Sequence, residues 1–214
     1  MGRVAIYKFI RHFHSKRMWK KLRNENSSCP KQAVVFLGDS ITERCDLKKY
    51  YPGIVAVNKG IHSESTDFLI NRLDFSIYEI EPKVVVLLAG INDMIIDEKS
   101  SDAIAGSYER LLDGIRKKDP RIRIIAQSIY PTRDGTIFKI NYLNSKINET
   151  NLKLKKLCDE KDCRYIDIHR LFVDENGELN HTYNEDGCHP NEEAYRIISQ
   201  VLTPIIVHEM SEYK

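Results

Sequence analysis

Five positions in four separate stretches of the chain have the residue types that acyl transfer requires: Ser40, Gly60, Asn92, Asp186 and His189. A serine hydroxyl can attack a carbonyl carbon when a histidine accepts its proton, and the histidine later returns that proton to the leaving alcohol. A carboxylate partner holds the imidazole in the required tautomer and stabilises its charged form. Asp186 and His189 are three residues apart, so on one turn both side chains face the same way. The sequence therefore predicts Ser40 as nucleophile, His189 as base and Asp186 as the partner of the base.

The negative oxygen that forms during such a reaction needs hydrogen-bond donors that are fixed in advance. The backbone N–H groups of Ser40 and Gly60 and the side-chain amide of Asn92 are the three predicted donors. Each residue also has a simpler interpretation, because Ser40 is a common helix N-cap residue and Asn92 and Asp186–Gly187 are common in turns.

Other polar side chains near these positions are predicted to have supporting roles. Asp39 is expected to tie down the loop that presents Ser40, and Tyr130 and Arg133 are candidates to line the cleft without doing chemistry. Three further histidines are expected at surface or packing positions, although the first lies close enough to Gly60 in sequence to touch a substrate: His62, His169 and His181.

The elements that must position these residues alternate along the chain between short apolar runs and amphipathic stretches. The predicted strands cover residues 33–37, 54–58, 83–89, 121–129 and 165–168. The predicted helices cover residues 66–80, 101–118, 140–160 and 191–208, with a loop at 131–135. This alternation predicts an α/β fold: a three-layer α/β/α sandwich around a five-stranded parallel sheet. Since the carboxyl ends of parallel strands share one edge, the candidate residues are expected to meet there.

Composition and charge fit one globular domain with a basic arm. The chain has 214 residues, of which 42% are hydrophobic and 30% charged, and no apolar run approaches the roughly 18 residues that span a bilayer. Residues 1–23 hold eight of the 33 basic residues and no acidic one, so the remaining 25 are outnumbered by the 31 acidic residues. A nucleic-acid footprint would therefore have to lie in the arm, and no nucleic-acid partner is expected.

Residues 1–23 also carry apolar side chains at imperfect helical spacing, and residues 24–30 (NENSSCP) are typical of a linker. Three interpretations remain open for this arm: a helix docked on the domain, which is the simplest, an arm bound to an anionic membrane, or a partner-binding helix. A secretory signal is not expected, because Lys8 and Arg11 interrupt the apolar run. A homodimer is also left open.

The cysteines give no disulfide or zinc framework, because they are odd in number and lack paired CxxC spacing: Cys29, Cys45, Cys158, Cys163 and Cys188. A reducing compartment, and hence the cytoplasm, is the simplest expectation. Cys188 precedes His189, but sequence neighbours seldom face each other productively, so this thiol is expected to be packed.

Four short blocks carry a resemblance to the SGNH, or GDSL, hydrolase superfamily, most similar to its acetylesterase and platelet-activating-factor acetylhydrolase-like branch. They are GDSIT at 38–42, NKG at 58–60, GIND at 90–93 and DGCHP at 186–190. The resemblance implies a flavodoxin-like sheet and ester hydrolysis without a metal or organic cofactor. It also implies Ser40 as nucleophile, Asp186 and His189 as the rest of the triad, and Gly60 and Asn92 as oxyanion donors. On this basis residues 1–30 form the arm and linker and residues 31–214 the hydrolase domain.

Two positions depart from that pattern. Many relatives have a serine and a second glycine where this chain has His62 and Ser63, and the bulkier groups are expected to narrow or reshape the acyl pocket. Cys188 replaces a residue that is often apolar.

The resulting hypothesis is an esterase that removes short acyl groups, acetyl above all, from a small-molecule or carbohydrate alcohol. The first alternative is a lysophospholipase or thioesterase that acts at a membrane touched by residues 1–23. The second is a non-catalytic scaffold with the same fold.

Overall fold

Five parallel strands form a single sheet in the computed structural model, which describes residues 3–133 and 143–213. The spatial order is β2-β1-β3-β4-β5, and every neighbouring pair is parallel. The strands are β1 (Val34–Gly38), β2 (Ala56–Gly60), β3 (Val84–Leu88), β4 (Arg123–Gln127) and β5 (Arg164–Ile166). The predicted five-stranded parallel sheet is confirmed.

Helices cover both faces of the sheet. They are α1 (Arg3–Asn24), α2 (Ser40–Glu43), α3 (Leu47–Tyr50), α4 (Thr66–Ile70), α5 (Ile91–Ile95), α6 (Ser101–Arg116), α7 (Leu143–Glu160) and α8 (Glu192–Glu212). Successive strand residues point to opposite faces. Val35 and Leu37 therefore pack in the cluster that holds α6 and α7, whereas Val34 and Phe36 pack in the cluster that holds α8. This produces the predicted three-layer sandwich.

Several boundaries differ from the predicted ones, and β2 differs for a clear reason. The strand was predicted at 54–58 but extends to Gly60, which pairs with Gly38 of β1. A Cβ at Gly60 would lie 2.2 Å from the backbone nitrogen of Glu43, so only glycine lets α2 cross the end of β2 this closely. The first residues of the predicted 140–160 helix, and the end of the 131–135 loop, fall outside the described residues.

The helix predicted over residues 66–80 is interrupted. It consists of α4 and a separate π-helical turn over Asp74–Tyr78. Arg72 lies in the gap between them, fully buried, and its guanidinium donates to the carboxylate of Glu64 and to the carbonyl oxygen of Lys59, each at 2.7 Å. Periodicity does not record such long-range contacts, so the break was missed.

α1 packs on the domain through one face, as the simplest of the three interpretations predicted. Leu22 joins Ile61 and Phe75 in a small apolar cluster. Arg11 donates to Asp97 at 2.6 Å and the indole nitrogen of Trp19 donates to Glu64 at 2.6 Å. Within the part of the chain that the structure describes, no helix combines the length and the apolar character needed to cross a bilayer.

Candidate active site

Ser40 begins α2 immediately after β1, at the carboxyl edge of the sheet. Asp39 is the N-cap residue of α2, and its carboxylate accepts a hydrogen bond from the Ile41 N–H at 3.0 Å. A Cβ at Gly38 would lie 2.5 Å from the carbonyl oxygen of Leu88, so the turn into Ser40 requires glycine. The local sequence therefore fixes the serine on a tight strand-to-helix turn, and Asp39 has the structural role expected of it.

His189 and Asp186 come from the loop before α8 and meet Ser40 across the sheet edge. The Oγ of Ser40 lies 2.9 Å from Nε2 of His189, and Nδ1 of His189 lies 2.7 Å from Oδ2 of Asp186. The other carboxylate oxygen of Asp186 accepts from the N–H of His189 at 2.9 Å and from that of Cys188 at 3.1 Å. Residues 149 positions apart in the sequence are thus in hydrogen-bond contact.

The electrostatics of this loop favour one tautomer of His189. Burial acts to raise the pKa of Asp186, but the hydrogen bonds from the backbone and ring of His189 outweigh it, so the pKa lies below its usual value. An ionised carboxylate only accepts hydrogen bonds, so Nδ1 of His189 carries the proton that faces it. Nε2 is then free to accept the proton of Ser40.

Asn92 lies at the start of α5, just past the end of β3, and its amide points into the same edge. Its Nδ2 donates to the carbonyl oxygen of Glu64 at 3.0 Å and approaches Oδ2 of Asp39 at 3.5 Å. Since Asp39 is the neighbour of Ser40, the amide group sits beside the serine turn. One amide hydrogen makes only the long 3.5 Å contact with Asp39, so this hydrogen is the one that can be redirected to a nearby negative oxygen.

Gly60 ends β2, and its N–H already has an acceptor within the protein. Its N–H donates to Oδ1 of Asn58 at 2.8 Å, while Nδ2 of the same Asn58 donates to the carbonyl oxygens of Thr42 and Cys45 at 2.7 and 3.1 Å. An oxyanion could receive the Gly60 N–H only after this bond is broken. The close approach that the glycine permits is that of α2, so the role seen for Gly60 is packing.

Ser63, which was expected only to reshape the acyl pocket, lies in the loop that follows Gly60. It is buried and has a φ of 63°, in the left-handed region that favours glycine. Its hydroxyl is 2.7 Å from the hydroxyl of Tyr7 on α1, and the carbonyl of the next residue, Glu64, accepts from Asn92. In the sequence, the glycine that many relatives have at this position was the signal for the left-handed backbone of Ser63.

The remaining predicted residues divide between the rim and the interior. The exposed His62 ring lies 5.9 Å from that of His14, and its pKa is lowered, chiefly by partial burial. Tyr130 is buried and donates to Gln127, whereas Arg133 donates to the carbonyl oxygen of Leu179 at 3.1 Å.

The other two histidines and Cys188 occupy packing or surface positions. The backbone N–H of His169 donates to the hydroxyl of Ser128 at 2.8 Å, and His181 is exposed. Burial raises the pKa of Cys188 to about 12, which suits a packed thiol and not a reactive one.

A small cavity lies beside the serine turn. Asp39, Ile41 and Tyr130 contribute to its lining, together with Pro131 and Cys188, and its volume is about 10 Å³. A single water molecule needs a cavity of about this size.

Comparisons with known proteins identify the family of this chain. The family model described as GDSL-like Lipase/Acylhydrolase matches residues 36–197. The alpha2 subunit of platelet-activating factor acetylhydrolase IB from Rattus norvegicus is 25% identical over 185 residues, which are 84% of this chain and 78% of that protein.

Solved structures show the same fold. A protein from Streptococcus pneumonia, provisionally assigned as a platelet activating factor, superposes with a TM-score of 0.86 at 23% identity, covering 95% of this chain and 97% of that one. The acetyl xylan esterase AlAXEase superposes with a TM-score of 0.66 at 20% identity, covering 81% of this chain and 99% of that one. The family match spans well over half of the residues, so this chain belongs to the GDSL-like lipase/acylhydrolase family and is a carboxylic ester hydrolase.

Proposed function

We propose that this chain is a serine esterase that removes short acyl groups, acetyl above all, from an alcohol such as a sugar hydroxyl. The observation that carries the proposal is the 2.9 Å contact between Ser40 Oγ and His189 Nε2, with Asp186 on the far side of the imidazole. This is the order of contacts that an activated serine nucleophile requires.

The reaction proceeds in two half-reactions. Ser40 Oγ bonds to the ester carbonyl carbon while its proton moves to Nε2 of His189, and the carbonyl oxygen becomes negative. That intermediate collapses, the alcohol leaves with the proton from His189, and the acyl group stays on Ser40. A water molecule then gives a proton to His189 and attacks the acyl carbon. The bond from that carbon to Ser40 Oγ breaks, the serine oxygen takes the proton back from His189, and the acid is released.

Three donors are proposed for the negative oxygen. The N–H of Ser40 and the amide of Asn92 are retained from the sequence-based prediction. The third is the N–H of Ser63, since that of Gly60 already donates to Asn58. Its neighbour Glu64 contacts the Asn92 amide, which brings this stretch of backbone to the same side of the serine. Donors held rigidly in this way contribute more to the transition state than to the ground state.

The proposed acyl length rests on similarity to known esterases. The cavity of about 10 Å³ beside the serine turn is lined by neither Ser40 nor His189, so it does not define the acyl pocket. A similar structure is that of an acetyl xylan esterase, which supports a carbohydrate acetyl ester as the substrate class.

The test combines active-site labelling with an acyl-length series. Wild type is expected to react with a fluorophosphonate probe and to hydrolyse nitrophenyl acetate faster than the butyrate and octanoate esters. Ser40→Ala should abolish labelling and lower kcat by about 10⁴-fold or more, whereas Ser28→Ala, at an exposed serine in the linker, should change neither. Labelling that persists in Ser40→Ala would refute the nucleophile. Failure of wild type to label would favour a non-catalytic scaffold, and preference for octanoate would favour a long-acyl hydrolase.

A further inference from the structure

α1 has two faces of different chemistry. The inner face packs on the domain and includes Arg11, Ser15 and Leu22, all of them buried. These residues are four and seven positions apart, which places them on one side of the helix. The opposite side of the helix is consequently turned to solvent.

Apolar and cationic side chains dominate the outer face, which also carries the exposed His12. Its first half carries Phe9, Ile10 and Phe13, which are 59%, 58% and 60% exposed. Its second half carries four exposed cations, Lys16, Arg17, Lys20 and Lys21. The spacing 9-13-16-20 places both halves on one continuous stripe. The rings of Phe9 and Phe13 are 4.7 Å apart, so the apolar part forms a single patch.

The four cations are available for a partner outside the chain. Among the described residues none of them forms a salt bridge, although Lys16 lies 4.3 Å from the Trp19 ring centroid. Residues 1–23 contain no acidic residue to neutralise them. The docking of α1 on the domain thus uses neither the apolar nor the cationic part of this stripe.

We infer that the outer face of α1 binds the surface of an anionic phospholipid membrane. Aromatic and aliphatic side chains gain by insertion at the boundary between headgroups and acyl chains, and neighbouring lysines and arginines gain by contact with lipid phosphates. A second copy of α1 would cover the apolar patch but would supply no acceptor for the cations, because residues 1–23 contain no acidic residue. A nucleic acid would satisfy the cations but would offer less to the apolar patch.

This contact would also orient the candidate active site. The inner residues of α1 reach the loop beside Ser40, through the Tyr7–Ser63 hydrogen bond of 2.7 Å and the adjacent rings of His14 and His62. A helix that is bound to a membrane on one side and to this loop on the other holds the loop near the lipid surface. If the proposed esterase function holds, esters presented at an anionic membrane are then within reach of the enzyme.

The experiment is co-sedimentation of the full chain with vesicles of phosphatidylcholine alone and with added phosphatidylglycerol. Binding is expected only when phosphatidylglycerol is present and should weaken as salt rises. The triple variant Lys16→Glu/Arg17→Glu/Lys20→Glu should partition about 100-fold less into these vesicles. The variant Phe9→Ser/Ile10→Ser/Phe13→Ser should lose binding to a similar degree, about 100-fold, by loss of inserted apolar surface.

Two scattered variants serve as matched controls. Lys48→Glu/Lys117→Glu/Lys155→Glu changes the net charge equally at exposed positions on other elements, and Val55→Ser/Leu152→Ser/Val207→Ser removes equally exposed apolar side chains. Both are expected to bind like wild type. Equal loss in the controls, no vesicle binding by wild type, or binding to a short RNA without vesicle binding would each overturn the inference. Hydrolysis of the soluble nitrophenyl acetate, measured in parallel, reports separately on the proposed function.

Discussion

Arg72 and His189 each contact a carboxylate near the carboxyl edge of this sheet, but their surroundings differ. Arg72 and Glu64 are both fully buried, and the guanidinium donates to Glu64, to Ser76 and to the carbonyl oxygens of Gly38 and Lys59. His189 and Asp186 form an equally short contact, but the Asp186 side chain is 43% exposed. Nε2, the ring nitrogen of His189 that does not face Asp186, contacts the hydroxyl of Ser40, the proposed nucleophile.

The difference separates a structural pair from a reactive one. The guanidinium of Arg72 is surrounded by acceptors within the protein. Its hydrogen bonds connect the ends of β1 and β2 to the segment that follows α4. His189 instead connects a carboxylate open to solvent with a nucleophile, an arrangement that passes a proton along. Burial and short distance alone therefore do not identify a reacting group. The solvent exposure of Asp186 and the contact of His189 with a serine hydroxyl are the more informative signs.

Removal of Arg72 tests the structural half of this comparison and should have the largest effect on stability. Arg72→Met leaves the Glu64 carboxylate buried without its partner, and we expect the free energy of unfolding to fall by about 3–5 kcal/mol, measured by urea denaturation. Arg23→Met is the control. It removes a half-exposed cation that pairs with Asp74 and Glu79 and should cost less than about 1 kcal/mol. Equal losses would mean that the buried pair is not special.

Asp39 offers a test by pH, because its carboxyl is buried and no cation pairs with it among the described residues. Burial, the largest influence, raises its pKa to about 7 from the usual 3.8. Between these values the folded state binds more protons than the unfolded state, so stability falls as pH rises. The contribution is at most about 4 kcal/mol between pH 4 and pH 7. Asp39→Asn keeps an acceptor for the Ile41 N–H and should lose this slope, and parallel curves for the two proteins would contradict the assignment.

Asn92 tests the reactive half through turnover. If its amide serves the negative oxygen, Asn92→Ala should lose about 2.7–4 kcal/mol of transition-state stabilisation, seen in kcat with little change in KM. The melting temperature should be followed in the same variant, because the amide also donates to Glu64. A loss in kcat below about tenfold, or about 1.4 kcal/mol, would leave Asn92 with a structural role alone.

Ser63 gives the smallest expected effect and probes the strain in its loop. Its left-handed backbone costs a residue with a Cβ about 1–2 kcal/mol. Since both substitutions remove the hydroxyl, Ser63→Gly should be about 1 kcal/mol more stable than Ser63→Ala to urea. Gln32, with a φ of 58° at an exposed site, is the matched control. Gln32→Gly should likewise be about 1 kcal/mol more stable to urea than Gln32→Ala, without any change in kcat. If the Gly and Ala variants at position 63 are equally stable, the strain argument fails.

Much of the framework was predictable because it follows from local sequence. The apolar run before Gly38 and the run over Val84–Leu88 specify buried strands, and a parallel sheet then brings the residues that follow them to one edge. Ser40 and Asn92 lie where that logic places them. The DGCHP block also predicted the pairing of Asp186 with His189, since both side chains come from one short loop.

The parts that escaped prediction depend on contacts between distant segments. The bond from the Gly60 N–H to Asn58 exists because Asn58 also binds the loop after α2, which the sequence does not reveal. The break at Arg72 depends on acceptors at the ends of two strands. The left-handed backbone at Ser63 accompanies a hydroxyl contact with α1, more than 50 residues earlier in the chain.

Glu64 has a practical consequence for anyone who handles this protein. One of its carboxylate oxygens receives the Trp19 indole, the other receives Arg72, and its carbonyl receives the amide of Asn92. Deletion of α1 would remove Trp19 and expose the buried Glu64 carboxylate to water, next to Ser63, which is a proposed oxyanion donor. Loss of turnover in a protein that lacks α1 would therefore not show what the outer face of the helix binds. Individual substitutions on that face separate binding from the stability of the site.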